Sequence, residues 1–265
     1  MDALPNTAEA SLGDCIRAVG LKGFESALHR WLHRCVPFDN LIILAYRDGG
    51  PPIVFYRHCD SPQVFAELDT IYLSGAYLLD PYHDLHLQRV PAGAYRLRDV
   101  APDAFHRSRY FRGYYQQTTL LDELTFVAYP QADLSFNICL GRDATSGQPF
   151  TTREVETVMR IAPVVTSLAE AHWKGLSAQS GPAQDTGARL VAAVRDRHGI
   201  HLSPRQAEVA LLILRGHSTV SIGLRMGVSA QTVKVFRKQL YARCGITSQA
   251  ELFALLVPLL SPRPD

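Results

Sequence analysis

An α+β half, with helices on a mainly antiparallel sheet, followed by an all-α head of four short helices is the fold class this 265-residue sequence predicts. Three observations carry it. Leu134, Phe136, Ile138 and Leu140 alternate with Ser135, Asn137 and Cys139, the two-residue period of a strand with one dry face and one more polar face. From Leu202 to Leu260, apolar residues recur at helical spacing and are cut by Gly216, Gly227 and Gly245. Between these regions, residues 179–187 (QSGPAQDTG) form the only flexible polar stretch, which reads as a linker. The expected units are 1–174, a linker over 175–187, and 188–265.

Helices are expected over 9–19 and 23–35, the second with Phe24, Leu28, Trp31, Leu32 and Cys35 on one face. Asn40 to Arg47, a turn over 48–52 and the run IVFY at 53–56 form an antiparallel pair, whose first strand is apolar on both sides and so covered on both faces. Residues 62–79 read as mostly helical, and Asp80-Pro81 breaks that pattern because proline disfavours helix in the residue before it. After a mixed loop, one helix is expected over 102–118, with Tyr110, Phe111, Tyr114 and Tyr115 crowded along it. Two further strands are joined by a hairpin turn at 130–133. A capping box in residues 150–154 (FTTRE) opens a long helix to about 174, and a short helix from 188 to about 198 leads into the head.

In the head, Ser203, Pro204 and Gln206 start the first helix, Ser218 precedes a second that stops at Gly227, and Ser229 caps a third that runs to Gly245. Ser248 with Glu251 offers a capping box for a fourth, which Pro258 is expected to end. On the third helix Val233, Phe236, Leu240 and Cys244 fall on one side, and Gln231, Lys234, Val235, Lys238 and Ala242 on the other. Lysine and glutamine can donate to base edges and valine can touch a thymine methyl, so this stripe suits insertion into the major groove of double-stranded DNA. Arg225, Arg237 and Arg243 flank it and suit phosphates. From residue 202 onward eight basic residues face three acidic ones, a net +5 in a chain of net +2, which leaves −3 on the rest. Positive charge is concentrated where a polyanion would bind.

These residues resemble the LuxR/GerE-type helix-turn-helix of bacterial transcription regulators. The pattern covers Ser203-Pro-Arg-Gln-x-Glu-Val209, Gly216, Ser218, Ile222, Gly227-Val-Ser229, Thr232-Val-Lys234, Lys238, Leu240 and Gly245, with Gly223 and Thr219 as departures. The resemblance implies base contacts at Lys234, Val235 and Lys238, backbone contacts at Thr232 and Arg237, a dimerising fourth helix, a homodimer on a two-fold site, and RNA polymerase as a further partner. The first half resembles the ligand-sensing half of LuxR-type regulators, a GAF/PAS-like sandwich, on its order of elements, on Phe38-Asp39 and on Asp80-Pro81. Such a quorum-sensing-like domain would take a small-molecule effector, and Tyr56, Tyr72, Asp80 and Glu123 are its candidate polar contacts, an acidic set suited to an amine or amide. The tryptophans of acyl-homoserine-lactone receptors have no counterparts, since Trp31 and Trp173 fall elsewhere.

Other classes find less in the sequence. The first 14 residues lack the basic start and apolar run of a signal peptide, and the longest apolar run near the end is far short of the ~20 residues a membrane helix needs, so a cytoplasmic protein without membrane contact is expected. Five widely spaced cysteines form no CxxC, arguing against a zinc module or disulfide framework and leaving a redox switch at Cys59 or Cys139 as a side reading. A phosphoreceiver would begin with a strand and an acidic pair, whereas this chain begins with helices. His29, His33 and Cys35, and His83 with His86, have spacings that metal ligands use, but His29 is followed by Arg30 where a metalloprotease motif needs glutamate. Neither a GxSxG elbow nor a phosphate-cradling glycine loop is present, so no enzyme, cofactor or metal is expected.

Overall fold

The computed structural model describes residues 8–47, 51–176 and 186–260. Five strands, β1 (Asn40–Arg47), β2 (Ile53–Cys59), β3 (Gly93–Arg96), β4 (Leu120–Gln131) and β5 (Leu134–Asp143), pair antiparallel throughout in the order β2-β1-β5-β4-β3. Helices α1 (Ala8–Arg17) and α2 (Phe24–Cys35) precede the sheet. The short α3 (Pro81–Gln88), α4 (Leu97–Val100) and α5 (Arg109–Gly113) lie between β2 and β4, and the long α6 (Thr152–Trp173) follows β5. Among the described residues five further helices follow: α7 (Thr186–His198), α8 (Pro204–Arg215), α9 (Thr219–Met226), α10 (Ala230–Cys244) and α11 (Gln249–Leu260).

Alternation along β1 and β5 gives the sheet two apolar faces. Leu41, Ile43, Phe136 and Ile138 join Trp31 of α2 and Trp173 of α6 in one cluster, where the Trp173 ring stacks on Phe136 at 3.8 Å. Ile42, Leu44 and Cys139 face the other way, into a cluster continuous with the core of α8–α11. The more polar face of β5 is therefore as dry as its partner. Ser135 and Asn137 are fully buried there, the first against His86 Nδ1 at 2.7 Å and the second donating to the Tyr82 carbonyl at 3.3 Å. A buried pair, Arg96 and Asp122, pins β3 to β4, and the Phe150 amide donates to Asp122 at 3.1 Å, fixing the start of α6. The Thr151 and Glu154 capping box forms as expected.

Several expected elements take another shape. Residues 62–79 are three separate turns, 3-10 over 62–65, π over 68–72 and 3-10 over 76–79, rather than one helix. The stretch 102–118 is likewise cut into a turn at 105–107, α5, and a turn at 115–117, with Ser108 ending the first and capping α5 by accepting from the Phe111 amide at 3.0 Å. The loop after Asp80 contains α3 and β3. Asp80-Pro81 does end one segment, yet it also starts the next: Asp80 accepts from the Tyr82 amide at 2.8 Å and Pro81 takes the first turn. Pro258 does not stop α11, which runs to Leu260. The linker read from sequence lies largely outside the described residues, as does most of the 48–52 turn.

Candidate functional site

The head forms by the local chemistry its sequence carries. Ser203 and Gln206 cap α8 reciprocally, Ser218 caps α9 by accepting from the Ser221 amide, and Ser229 caps α10 by accepting from Thr232. Gly216, Gly227 and Gly245 close the three helices in the left-handed conformation. Val233 and Leu240 are buried on the inner side of α10. On the outer side Gln231, Lys234, Val235 and Lys238 are exposed together, and an apolar Val235 at 46% exposure is a side chain its own unit leaves uncovered. Thr232 and Arg237 are half-buried at the edge of that stripe, with the Thr232 hydroxyl 2.8 Å from that of Ser229 and the Arg237 guanidinium over the Tyr241 ring at 5.1 Å. At Gly223 a side chain would put Cβ 2.8 Å from the Val228 carbonyl, so the departure there matches a close approach between α9 and the turn.

The other two flanking arginines make polar contacts within the chain. Arg243 donates to the His201 carbonyl at 2.6 Å, and Arg225 pairs with Asp84 of α3 at 2.9 Å. Asp84 also holds Arg215 at 3.0 Å, and Arg215 donates to the Leu78 carbonyl at 3.0 Å, so a single carboxylate grips two cations of the head. The Ser218 amide at the start of α9 donates to Asp103 at 3.0 Å, and the Ala104 amide donates to the Gly216 carbonyl at 3.1 Å. The turn between α8 and α9 is thus seated on residues 78–108.

Beside α3, on the face of the sheet that carries Ile42 and Leu44, lies a cavity of about 40 Å³, room for only a few water-sized groups. Tyr72, Asp80 and Glu123, three of the four candidate polar contacts, line it. Tyr56 does not. It pairs with Ile43, while Leu44 pairs with Val54, so β2 bulges at Phe55 and turns both Phe55 and Tyr56 toward the α2 and α6 side of the sheet. Four tyrosines the sequence did not single out, Tyr82, Tyr110, Tyr114 and Tyr115, complete the polar lining. For Tyr110, Tyr114 and Tyr115, the crowding in 110–115 was the available signal.

Asp80 accepts from the Tyr72 hydroxyl at 2.5 Å, and Tyr72 in turn meets the Tyr46 hydroxyl at 2.7 Å. Burial pushes the Asp80 carboxyl up to about 6 against the pull of its Tyr72 and Tyr82 hydrogen bonds. Burial, then the neighbouring Asp80 charge, pushes Glu123 up to about 8, with the Tyr115 hydroxyl pulling the other way. Tyr110 and Tyr114, both more than nine-tenths buried, line the cavity beside them.

The histidines do not assemble a centre. Among the described residues no group of three or more His, Cys, Asp or Glu is arranged to hold a metal. His83 is fully buried with both ring nitrogens unpartnered, and burial drives it well below the usual histidine range. All five cysteines are free, Cys139 buried against Thr125 with burial holding its thiol protonated. No helix among the described residues is long and apolar enough to cross a membrane.

Residues 201–256 match the GerE model, "Bacterial regulatory proteins, luxR family". A protein of Aeromonas salmonicida, described as a candidate HTH-type transcriptional regulator in the exeN 3'region, is 30% identical over 192 residues, covering 70% of this chain and 96% of that one. The VqsR LBD domain from Pseudomonas aeruginosa shares the fold of the first half, with a TM-score of 0.53 at 20% identity over 63% of this chain and 97% of that one. SdiA in complex with octanoyl-rac-glycerol aligns over 100% of both chains at 12% identity with a TM-score of 0.38. The chain belongs to the luxR family of bacterial HTH-type transcriptional regulators.

Proposed function

We propose that residues 1–174 sense a small molecule and that residues 188–265 read DNA as one half of a homodimer, in the cytoplasm. The observation that carries the DNA reading is the bare stripe on α10. Gln231, Lys234, Val235 and Lys238 stand exposed opposite a packed side, on a helix that follows a short helix and a glycine turn. Lys234, Val235 and Lys238 would meet base edges, and Thr232 and Arg237 the sugar-phosphate backbone. Two such heads on a two-fold site would place their α10 helices in successive major grooves, and α11 offers its face to the second copy or to RNA polymerase.

The sensing half of the reading rests on the cavity and its place in the chain. Asp80 lines that cavity and caps α3, and one turn along the same helix Asp84 holds Arg215 and Arg225 of the head. An effector that changes how Asp80 is held would bias the seating of α3 and, through Asp84, the freedom of the head. Gel shifts over a salt series test the DNA roles. Lys234→Ala or Lys238→Ala is expected to cost ~1–3 kcal/mol and relax sequence preference, while Arg237→Ala weakens all sequences alike and flattens the salt slope. Equal losses on every sequence for all three variants would sink the assignment of roles. Sensing is tested by adding an organic extract of the host culture to the same gel shift, with Asp80→Asn as the control. A change in DNA affinity that the variant lacks is the expected result, and no change in either protein sinks the sensing reading.

A further inference from the structure

We propose that the effector is a cationic amine, its ammonium group seated between the carboxyls of Asp80 and Glu123 and against the hydroxyls of Tyr110 and Tyr114. The inference rests on the small-molecule-sensing reading above and names the chemistry of its ligand.

The lining of the cavity is one-sided. Two carboxyls and five tyrosine rings contribute to it, and among the described residues no lysine, arginine or histidine does. Asp80 is already held by two donors, the Tyr72 hydroxyl and the Tyr82 amide, whereas none of the described residues lining the cavity brings a cation to either acid. The accessible surface each acid retains is modest, and both are shielded enough that their protons are held more tightly than in water. A second carboxylate brought by a ligand would crowd two acids already held close, and a ligand that offers only acceptors could take protons from the tyrosine hydroxyls but would give an ionised Asp80 or Glu123 no new donor.

An ammonium group reverses each of these deficits. It brings three donors, which two carboxylate oxygens and a tyrosine hydroxyl can accept, and a buried charge pair is sustained only when its remaining protons are also bonded. The Tyr110 and Tyr114 rings add the electron-rich faces that attract a cation. The free volume, about 40 Å³, suits only a compact head group, and an alkyl or aryl body would have to part the apolar wall of Ile42, Leu44 and Leu68 to follow it in.

The test is calorimetric titration and thermal melting of the full chain with four probes of matched length: n-hexylamine, hexan-1-ol, hexanoate and N-hexanoyl homoserine lactone. Hexylamine alone is expected to bind and to raise the melting temperature. Glu123→Gln and Asp80→Asn should each weaken it by about tenfold or more, as loss of a charged hydrogen-bond partner does, and Tyr114→Phe, which removes one hydroxyl and should not disturb folding, by several-fold. Hexanol, hexanoate or the lactone binding as tightly as hexylamine overturns the amine assignment and leaves the sensing reading standing. Hexylamine binding that is absent at millimolar concentration, or unchanged in Glu123→Gln and Tyr114→Phe, also overturns the assignment. Sensing itself falls only by the extract experiment above.

Discussion

Glu123 is the residue whose behaviour is most constrained by its surroundings. Its carboxyl is raised from an ordinary 4.5 to about 8, so between those values the folded chain holds a proton that the unfolded chain has released. Stability is therefore expected to fall as pH climbs from about 4.5 to about 8, by at most about 1.4 kcal/mol per pH unit from this group, and to level off above. Asp80, raised from 3.8 to about 6, adds to the lower part of the same window. The two windows overlap, so denaturant titrations should show one continuous decline across them. Glu123→Gln should make that decline shallower and leave the variant more stable than wild type at pH 8; an unchanged pH profile would show that Glu123 ionises freely.

At the scale of elements, α3 and the turn after α8 matter most, because contacts between the two halves converge there. Asp84→Ala would leave Arg215 buried and unpaired, and a loss of about 3–5 kcal/mol is expected in urea unfolding. Gly216 combines a left-handed backbone (φ 95°) with close packing, since a Cβ there would lie 3.2 Å from the Phe105 backbone. Gly216→Ala should cost about 1–3 kcal/mol on the same measurement. Helices α8, α9 and α10 were legible because each carries its own serine cap and glycine stop. So were β1 and β5, which declare themselves by apolar runs and alternation. What escaped was set by tertiary contacts. A bulge at Phe55 turned Tyr56 away from the cavity, and turns over 62–79 and 105–117 broke what looked like helices. Asp80-Pro81 was read as a stop when the same dipeptide is also a start, and α3 went with it. Tyr72, Asp80 and Glu123, three of the four candidate ligand contacts, line one cavity, and the fourth, Tyr56, faces away from it.

Across the whole molecule, a negatively charged first part is joined to a positively charged head, and the core of the head runs unbroken into the cluster on the cavity face of the sheet. A dimer with two-fold heads should protect two half-sites spaced about one helical turn or a multiple apart in footprinting, and monomeric protein at nanomolar concentration should protect neither. Asp84 has a bearing on that experiment, for it neutralises two guanidinium groups that a nucleic acid could otherwise recruit. Were the head to swing free, those guanidiniums would become available to displace condensed ions from the duplex, and log affinity plotted against log salt would steepen by up to about two. The ionic-strength dependence of binding thus becomes a gauge of how often the two halves part company.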